Sequence, residues 1–595
     1  MKTPLVLTLF FLLAPLAQAA PPNVVVFLAD DAGWGDYSFS GNRQVDTPQI
    51  DSIARGGVSL EHFYVCPVCS PTRAEFLTGR YHPRTGVKGV STGQERLNLD
   101  EKTIADAFRA AGYATGAFGK WHNGTQWPYH PMARGFDTYF GHTSGHWGEY
   151  FDAPLEDEGK MVKTKGYIVD VCTDKALAFI EEKKDRPFFC YVPFTTPHSP
   201  WAAPAEDWER FRHLPITQTA TIPEQETADE TRCALAMMEN QDRNVGRILT
   251  KLESLGLTRN TIILYFSDNG PNSMRWTGGM KGKKAQTDEG GVRSVCYLKW
   301  PEKLPTGRAV PQIAGAIDLL PTLLSLAGIA RVGDKPLDGR DLTPLLVQAN
   351  PVWSDRLLFS TWGGKVSVRS QTHRLDQAGQ LFDMIADPGQ TKPINEASPD
   401  LAASLKDSVA AWRREMFAAE ASPSARDKKG GANEIDPRPV PVGYREFPIT
   451  MLPARDGEPR GGIGRSSKAP NCSYFVNWTS IQDSILWKLE VNTSGRYEVT
   501  LDYTCPLSDA GSTVELSFGE ARLSGKVGPG WDPPLHTNQD TLPRPHGESQ
   551  MKDFHPLALG EIDLKRGTGF LTLRATEIPG KAVMDLRRLT LTLKE

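Results

Sequence analysis

The sequence predicts an α/β fold, with a mostly parallel central sheet flanked by helices, then a small α+β subdomain and an all-β sandwich. Three observations lead there. Short β-branched runs alternate with amphipathic stretches from Asn23 to about residue 330. Polar residues cluster where four of those runs stop: Asp30-Asp31, Lys120 with His122, Thr196-Pro197-His198, and Asp268-Asn269. Beyond residue 443 the pattern becomes short alternating strands separated by turn signals.

The first residues, MKTPLVLTLFFLLAPLAQA, read as a secretory leader (residues 1–19). Lys2 is the positive end, Pro4 to Leu16 the apolar run, and Ala17-Gln18-Ala19 a small-x-small cleavage site. That run is short of the ~20 apolar residues that span a bilayer, so no transmembrane anchor is expected and the protein should be exported, to a periplasm or beyond the cell. The α/β part covers residues 20–330. NVVVFLAD reads as a strand buried on both faces, EKTIADAFRAAGY as a helix and YATGAFGKWH as a strand running into a loop. TDKALAFIEEKK is a helix, RPFFCYVPF a buried strand, TRCALAMMENQDRNVGRILTKLESLG a long helix and NTIILYFSDNG a further buried strand. Residues 331–420 combine short antiparallel strands with a helix over about 398–418. Residues 421–442, rich in Pro, Gly and charge, read as a linker before the sandwich of residues 443–595.

With 595 residues and 39% hydrophobic content the chain can bury several cores. Its net charge of −4 gives no basic field for nucleic acid. Eight cysteines in so long a chain are too few for a disulfide framework: Cys172, Cys190, Cys233 and Cys296 fit core positions, and a Cys472–Cys505 pairing is left open. Asn123, Asn471, Asn477 and Asn492 each begin a glycosylation-type tripeptide.

Asp30, Asp31, Asp268 and Asn269 form an oxygen-only ligand set, suited to one hard cation such as Ca²⁺, or Mg²⁺, rather than to zinc. Arg73, Lys120 and Lys284, with His122 and His198, suit a bound oxyanion. His198 follows a buried strand directly, as a proton donor would. In CPVCSPTRAEFLTGR, Ser70 reads as a helix N-cap and Pro71 as the first helical residue. Cys69 then lies just ahead of an N-terminus that favours anions. GHTSGHWGEYFD, residues 141–152, is dense in rings with polar handles, and its His142, His146 and Trp147 are candidate substrate contacts.

These motifs resemble those of the formylglycine-dependent sulfatases of the alkaline phosphatase superfamily. Cys69-Ser70-Pro71-Thr72-Arg73 matches the Cys-x-Pro-x-Arg core at which that family oxidises cysteine to formylglycine. FLADDAGWGD, FGKWHNG, SDNGPN and KKAQTDEGGVRS are similar to four further family segments, in the family's order, between about residues 22 and 420. The resemblance implies an alkaline-phosphatase-like sheet and a Ca²⁺ bound by Asp30, Asp31, Asp268, Asn269 and the modified Cys69. It implies that hydrated formylglycine is the nucleophile, and that Arg73 and Lys120 stabilise it. His122 would be its hydrogen-bonding base, and Lys284 and His198 would bind sulfate and protonate the leaving oxygen. It also implies a formylglycine-generating maturation enzyme as a partner. The chain departs from the pattern at Ala285, where the family commonly has Gly after its lysine. Counting back five residues from Glu289 selects Lys284 over Lys281 and Lys283.

Export and the appended β unit point to a sulfated carbohydrate as substrate, with the β unit either carbohydrate-binding or a packing element. A phosphatase or phosphonate hydrolase of the same superfamily is disfavoured by Asn269 and by cysteine at the nucleophile position. A catalytically silent glycan-binding protein would follow if Cys69 stayed unmodified.

Overall fold

The computed structural model describes residues 20–418 and 434–594. The leader and the first part of the stretch read as a linker lie outside them. The chain enters through β1 (Asn23–Ala29), wholly buried, as a run of Val, Phe and Leu without a polar face requires. Then come α1 (Pro48–Arg55), β2 (Val58–Tyr64), α2 (Cys69–Thr78), α3 (Ile104–Ala110) and β3 (Ala114–Lys120). β4 (Thr138–His142), the hairpin β5 (Pro154–Asp157) and β6 (Lys160–Lys163), α4 (Ile168–Lys183) and β7 (Phe188–Pro193) follow. The part closes with α5 (Ala205–Phe211), α6 (Ala228–Ser254), β8 (Thr261–Ser267), α7 (Glu289–Val292) and β9 (Arg293–Ser294). After these come β10 (Cys296–Lys299), β11 (Arg308–Gly315) and α8 (Leu319–Ala327).

Its strands form one sheet in the order β11-β2-β10-β8-β1-β7-β3-β4-β5-β6, with β9 beside β2. β8, β1, β7, β3 and β4 are parallel neighbours. β10 runs antiparallel between β2 and β8, and the β5–β6 hairpin makes an antiparallel edge. Alternate residues of β1 serve opposite layers. Val25 and Phe27 pack with α4 and α6, whereas Val24, Val26 and Leu28 pack with α3 and α8. The carboxyl ends of β8, β1, β7 and β3 therefore lie side by side, and the four polar clusters share one rim.

A separate four-stranded antiparallel sheet, Leu358–Trp362 to Leu381–Asp383, packs against the helix Pro399–Met416. The β-rich region folds as two six-stranded sheets whose inner faces share one core, including Trp487, Leu501, Leu573 and Leu589. Strand Ser484–Val491 shows the expected alternation of buried and outward residues. Among the strands that escape the sequence pattern are Ala521–Lys526 and His555–Leu564. Both carry Gly, the second also Pro, and their pairing with neighbours holds them in place.

Residues 434–442 pack closely. The Glu434 carbonyl accepts hydrogen bonds from Thr92 and Gln94, and Val440–Val442 pairs with Ser484–Val491. All eight cysteines are free and buried.

Candidate active site

β1 ends at Ala29 and presents Asp30, whose amide donates to the Thr196 carbonyl at 3.0 Å. Adjacent acids on a strand would face opposite ways. Here Asp31 itself turns, with φ of 66°, so that both carboxylates enter one pocket. Asp268, beyond β8, accepts the Asp31 amide at 3.1 Å. Asn269 donates to Asp31 Oδ1 at 2.8 Å.

Each acid has a cation. Lys120 Nζ lies 2.7 Å from Asp30 Oδ2, Lys284 Nζ 2.7 Å from Asp31 Oδ1, and Arg73 2.8 Å from Asp268 Oδ2. Arg73 also donates to the Lys120 carbonyl at 2.8 Å, tying β3 to α2 and β8. Among the described residues Lys281 pairs with Asp288 at 3.2 Å and Lys283 reaches the Asn272 carbonyl at 3.5 Å, so of the three lysines Lys284 enters the cluster. Burial alone would raise the Asp31 carboxyl, but Lys284, His198 and Lys120 hold it below the ordinary range. Burial and the charge of Asp30 push Asp268 up to about 7.

α2 begins at Cys69, with Val68 in the capping position and no side-chain cap. The expected start, Ser70 as cap and Pro71 as first helical residue, is thus moved toward the N-terminus. The Ser70 hydroxyl instead accepts a hydrogen bond from Asn123 at 3.3 Å. All residues of α2 are buried, which is why its sequence shows no amphipathic stripe. Thr72 anchors the turn: its hydroxyl accepts the Cys66 amide at 2.9 Å and donates to the Asp268 carbonyl at 2.5 Å. Burial pushes the Cys69 thiol up, so as a plain cysteine it would be a poor thiolate. Cys66 sits against Glu75, whose carboxyl burial pushes up to about 8, and does not pair with Cys69.

The histidines are fixed by backbone. His122, at φ of 67°, places Nε2 2.8 Å from the Val90 carbonyl. That contact keeps the proton on Nε2 and leaves Nδ1, buried and without a hydrogen-bond partner among the described residues, as an acceptor. Burial and Lys120 depress its pKa well below the usual value, so the ring is neutral. A Cβ at Gly145 would lie 2.0 Å from His122 Nε2, so only glycine fits there. His198 directs Nδ1 to the Ser199 carbonyl at 2.6 Å and Nε2 toward Asp31 Oδ2 at 3.5 Å. Burial and Lys284 lower it to about 3. A neutral His198 offers a lone pair at Nε2, so proton donation there needs a second proton, which a bound anion favours.

Of the three candidate substrate contacts, His142 has both nitrogens engaged, with the Ser144 carbonyl and the Thr195 hydroxyl, and stacks on Trp147. His146 alone approaches the cluster, its ring 5.3 Å from that of His198. The β-rich region supplies residues that the sequence did not reveal. Asn471 donates to the same Val90 carbonyl that His122 uses, and Arg455 donates to Ser144 at 2.7 Å. Arg587 makes a double contact with Glu149 at 3.0 and 3.1 Å. No local periodicity marks such contacts, since each partner lies hundreds of residues away.

Among the described residues, Oδ1 of Asp30 and Oδ1 of Asn269 are buried without hydrogen-bond partners, and ligand atoms of Asp30, Cys69 and Asp268 lie within 4.8 Å of one another. Orphaned hard oxygens at that spacing fit a calcium-type cation. With all three carboxylates ionised they balance the three cationic side chains, so an added divalent ion would leave the site positive and ready for an anion.

Ala285 follows Lys284 at φ of 68°, donating its amide to the Pro67 carbonyl at 2.8 Å. A residue with a Cβ pays about 1 kcal/mol or more there, where glycine would be unstrained. Ala285→Gly is therefore expected to raise the unfolding free energy by about 0.5–1 kcal/mol, read as a higher urea midpoint, without changing turnover.

Comparison with known proteins gives consistent results. The family model described as Sulfatase matches residues 22–329. N-acetylgalactosamine-6-sulfatase of Canis lupus familiaris is 33% identical over 375 residues, 57% of this chain and 68% of that protein. Arylsulfatase A of Homo sapiens is 32% identical over 425 residues, 64% of this chain and 80% of that protein. Among solved structures, Ps i-CgsB in complex with k-i-k-neocarrahexaose superposes with a TM-score of 0.60 at 27% identity, covering 68% of this chain and 98% of that one.

Proposed function

Because the chain belongs to the sulfatase family and is a sulfuric ester hydrolase, we propose that it is exported and removes sulfate from a sulfated carbohydrate. In this reading a formylglycine made from Cys69 by a maturation enzyme is the nucleophile, and Asp30, Asp31, Asp268, Asn269 and the modified Cys69 hold Ca²⁺. The observation that carries it is the convergence of Asp30, Cys69 and Asp268 ligand atoms within 4.8 Å, ringed by Arg73, Lys120 and Lys284.

When present, the hydrated aldehyde would supply one hydroxyl to attack sulfur as the bond to the sugar oxygen breaks, and loss of the other hydroxyl's proton would then re-form the aldehyde and expel sulfate; a cation held by Asp30, Asp31, Asp268 and Asn269 would supply charge stabilisation to the sulfate oxygens. The remaining work falls to side chains. Arg73 and Lys120 hold the acids apart and stabilise the nucleophile's oxygens. His122 takes a proton at Nδ1, the nitrogen left free by the Val90 carbonyl. Lys284 shares its charge between Asp31 and the incoming sulfate, and His198 protonates the departing sugar oxygen once the anion has raised its basicity. The leader-like residues 1–19 support export, and among the described residues no helix is long and apolar enough to cross a membrane. The carbohydrate reading draws on relatives named N-acetylgalactosamine-6-sulfatase and on the Ps i-CgsB structure in complex with k-i-k-neocarrahexaose.

Protein produced in a host with the maturation enzyme is expected to release inorganic sulfate from sulfated oligosaccharides, and its Cys69 peptide to carry an aldehyde by mass. Chelation should lower the rate by at least ~10²-fold, with Ca²⁺ restoring it. An intact Cys69 thiol in active protein, or faster release of phosphate than of any sulfate, would overturn this reading.

A further inference from the structure

The loop between strands Ala521–Lys526 and His555–Leu564 leaves the β sandwich and lies over the rim of the α/β sheet. Thr541 and Leu542 donate backbone hydrogen bonds to the Trp201 carbonyl at 2.8 and 3.1 Å, and the Thr541 hydroxyl accepts the Ala203 amide at 2.8 Å. Within the loop Arg544 pairs with Asp540 at 2.7 Å and donates to the Ser549 carbonyl, which fixes the residues between. So held, Glu548 accepts the Ser199 hydroxyl at 2.5 Å through Oε1, and its Oε2 lies 3.5 Å from His146 Nε2.

This pair adjoins the reaction centre. The His146 ring is 5.3 Å from His198, whose Nε2 faces Asp31. The His146 and Glu548 side chains are only 7% and 11% exposed. Yet neither nitrogen of His146 nor Oε2 of Glu548 has a hydrogen-bond partner among the described residues. Buried polar atoms normally find partners, so a converging set that lacks them, beside an anion site, marks a place for ligand hydroxyls.

We propose that Glu548 and His146 recognise a free hydroxyl adjacent to the sulfate ester, and that Glu548 thereby restricts the substrate to sugars without a second anion at that position. The proposal rests on the sulfatase reading of the site. Glu548 Oε2 accepts from the sugar hydroxyl while a His146 nitrogen supplies the complementary bond. Arg544 is paired with Asp540, and Glu548 brings a carboxylate oxygen to 3.5 Å from the His146 ring. A sulfate or uronate carboxylate in place of the hydroxyl would be repelled and would leave both groups unpaired. The β-rich region thus contributes a specificity-determining residue to the pocket.

The test compares kcat/KM for N-acetylgalactosamine 6-sulfate and its 4,6-disulfate in the parent, Glu548→Gln and Glu548→Asp. The parent should prefer the monosulfate by at least ~10²-fold, since like-charge contacts at a binding face are strongly disfavoured. Glu548→Gln should bring the two within ~5-fold, mainly through KM, and Glu548→Asp should restore part of the preference. Thermal midpoints of the three proteins should agree. A Gln variant that loses activity equally on both sugars, or keeps the parental ratio, would overturn the proposal. A parent without sulfate release from any ester would instead overturn the sulfatase reading beneath it.

Discussion

Cys69→Ala is expected to abolish sulfate release while leaving the fold intact. Removing a covalent nucleophile lowers kcat by about 10⁵-fold or more in enzymes that depend on one. The sulfur of Cys69 is buried at the first turn of α2, and its truncation removes a single small atom beside polar walls. A stability loss of about 1 kcal/mol is the scale for such a change, so the thermal midpoint should move by only a few degrees. Retained turnover at even about one hundredth of the parent would remove Cys69 from the chemistry.

Arg73→Ala should damage both stability and turnover. Arg73 is fully buried and holds three things at once: the Asp268 carboxylate at 2.8 Å, the Lys120 carbonyl at 2.8 Å and, more distantly, Asp30 at 3.7 Å. Deleting one partner of a buried ion pair strands the other, at a cost of about 3–5 kcal/mol. Chemical denaturation in Ca²⁺-free buffer measures that loss without the stabilisation a bound ion would add. Arg73→Lys keeps the charge but lacks the fork that spans Asp268 and Lys120, so it should recover part of the stability and little of the turnover. A Lys variant with parental rates would show that charge alone suffices.

Much of this architecture is legible locally. β1, β3, β7 and β8 announce themselves as apolar runs because a doubly buried strand needs no polar alternation, and the residues just past their ends form the site. Asp30, Asp268 and Asn269 stand just past strand ends that the sequence alone locates. What the sequence hides are features set by backbone conformation and by distant partners. Nothing in LADDAG indicates that Asp31 takes the left-handed conformation, which goes with its amide on Asp268 and its carboxylate on Lys284. The start of α2 moves because Thr72 is pulled toward Asp268, outweighing the capping preference of Ser70. His122 gives no hint of its tautomer, which depends on the Val90 carbonyl. Glu548, Asn471, Arg455 and Arg587 sit in polar loops or on strand faces of a different fold, where a charge reads as ordinary solvated surface.

The contacts between the two folds carry a consequence for the order in which the protein is made. The oxygen donors and Lys284 are all synthesised before residue 290, so a nascent chain can assemble its reactive centre early. Asn471, Glu548 and Arg587 emerge much later, yet they brace Val90, face His146 and grip Glu149. Under the proposed roles, the side chains assigned to the chemistry are thus synthesised before the residue assigned to substrate choice.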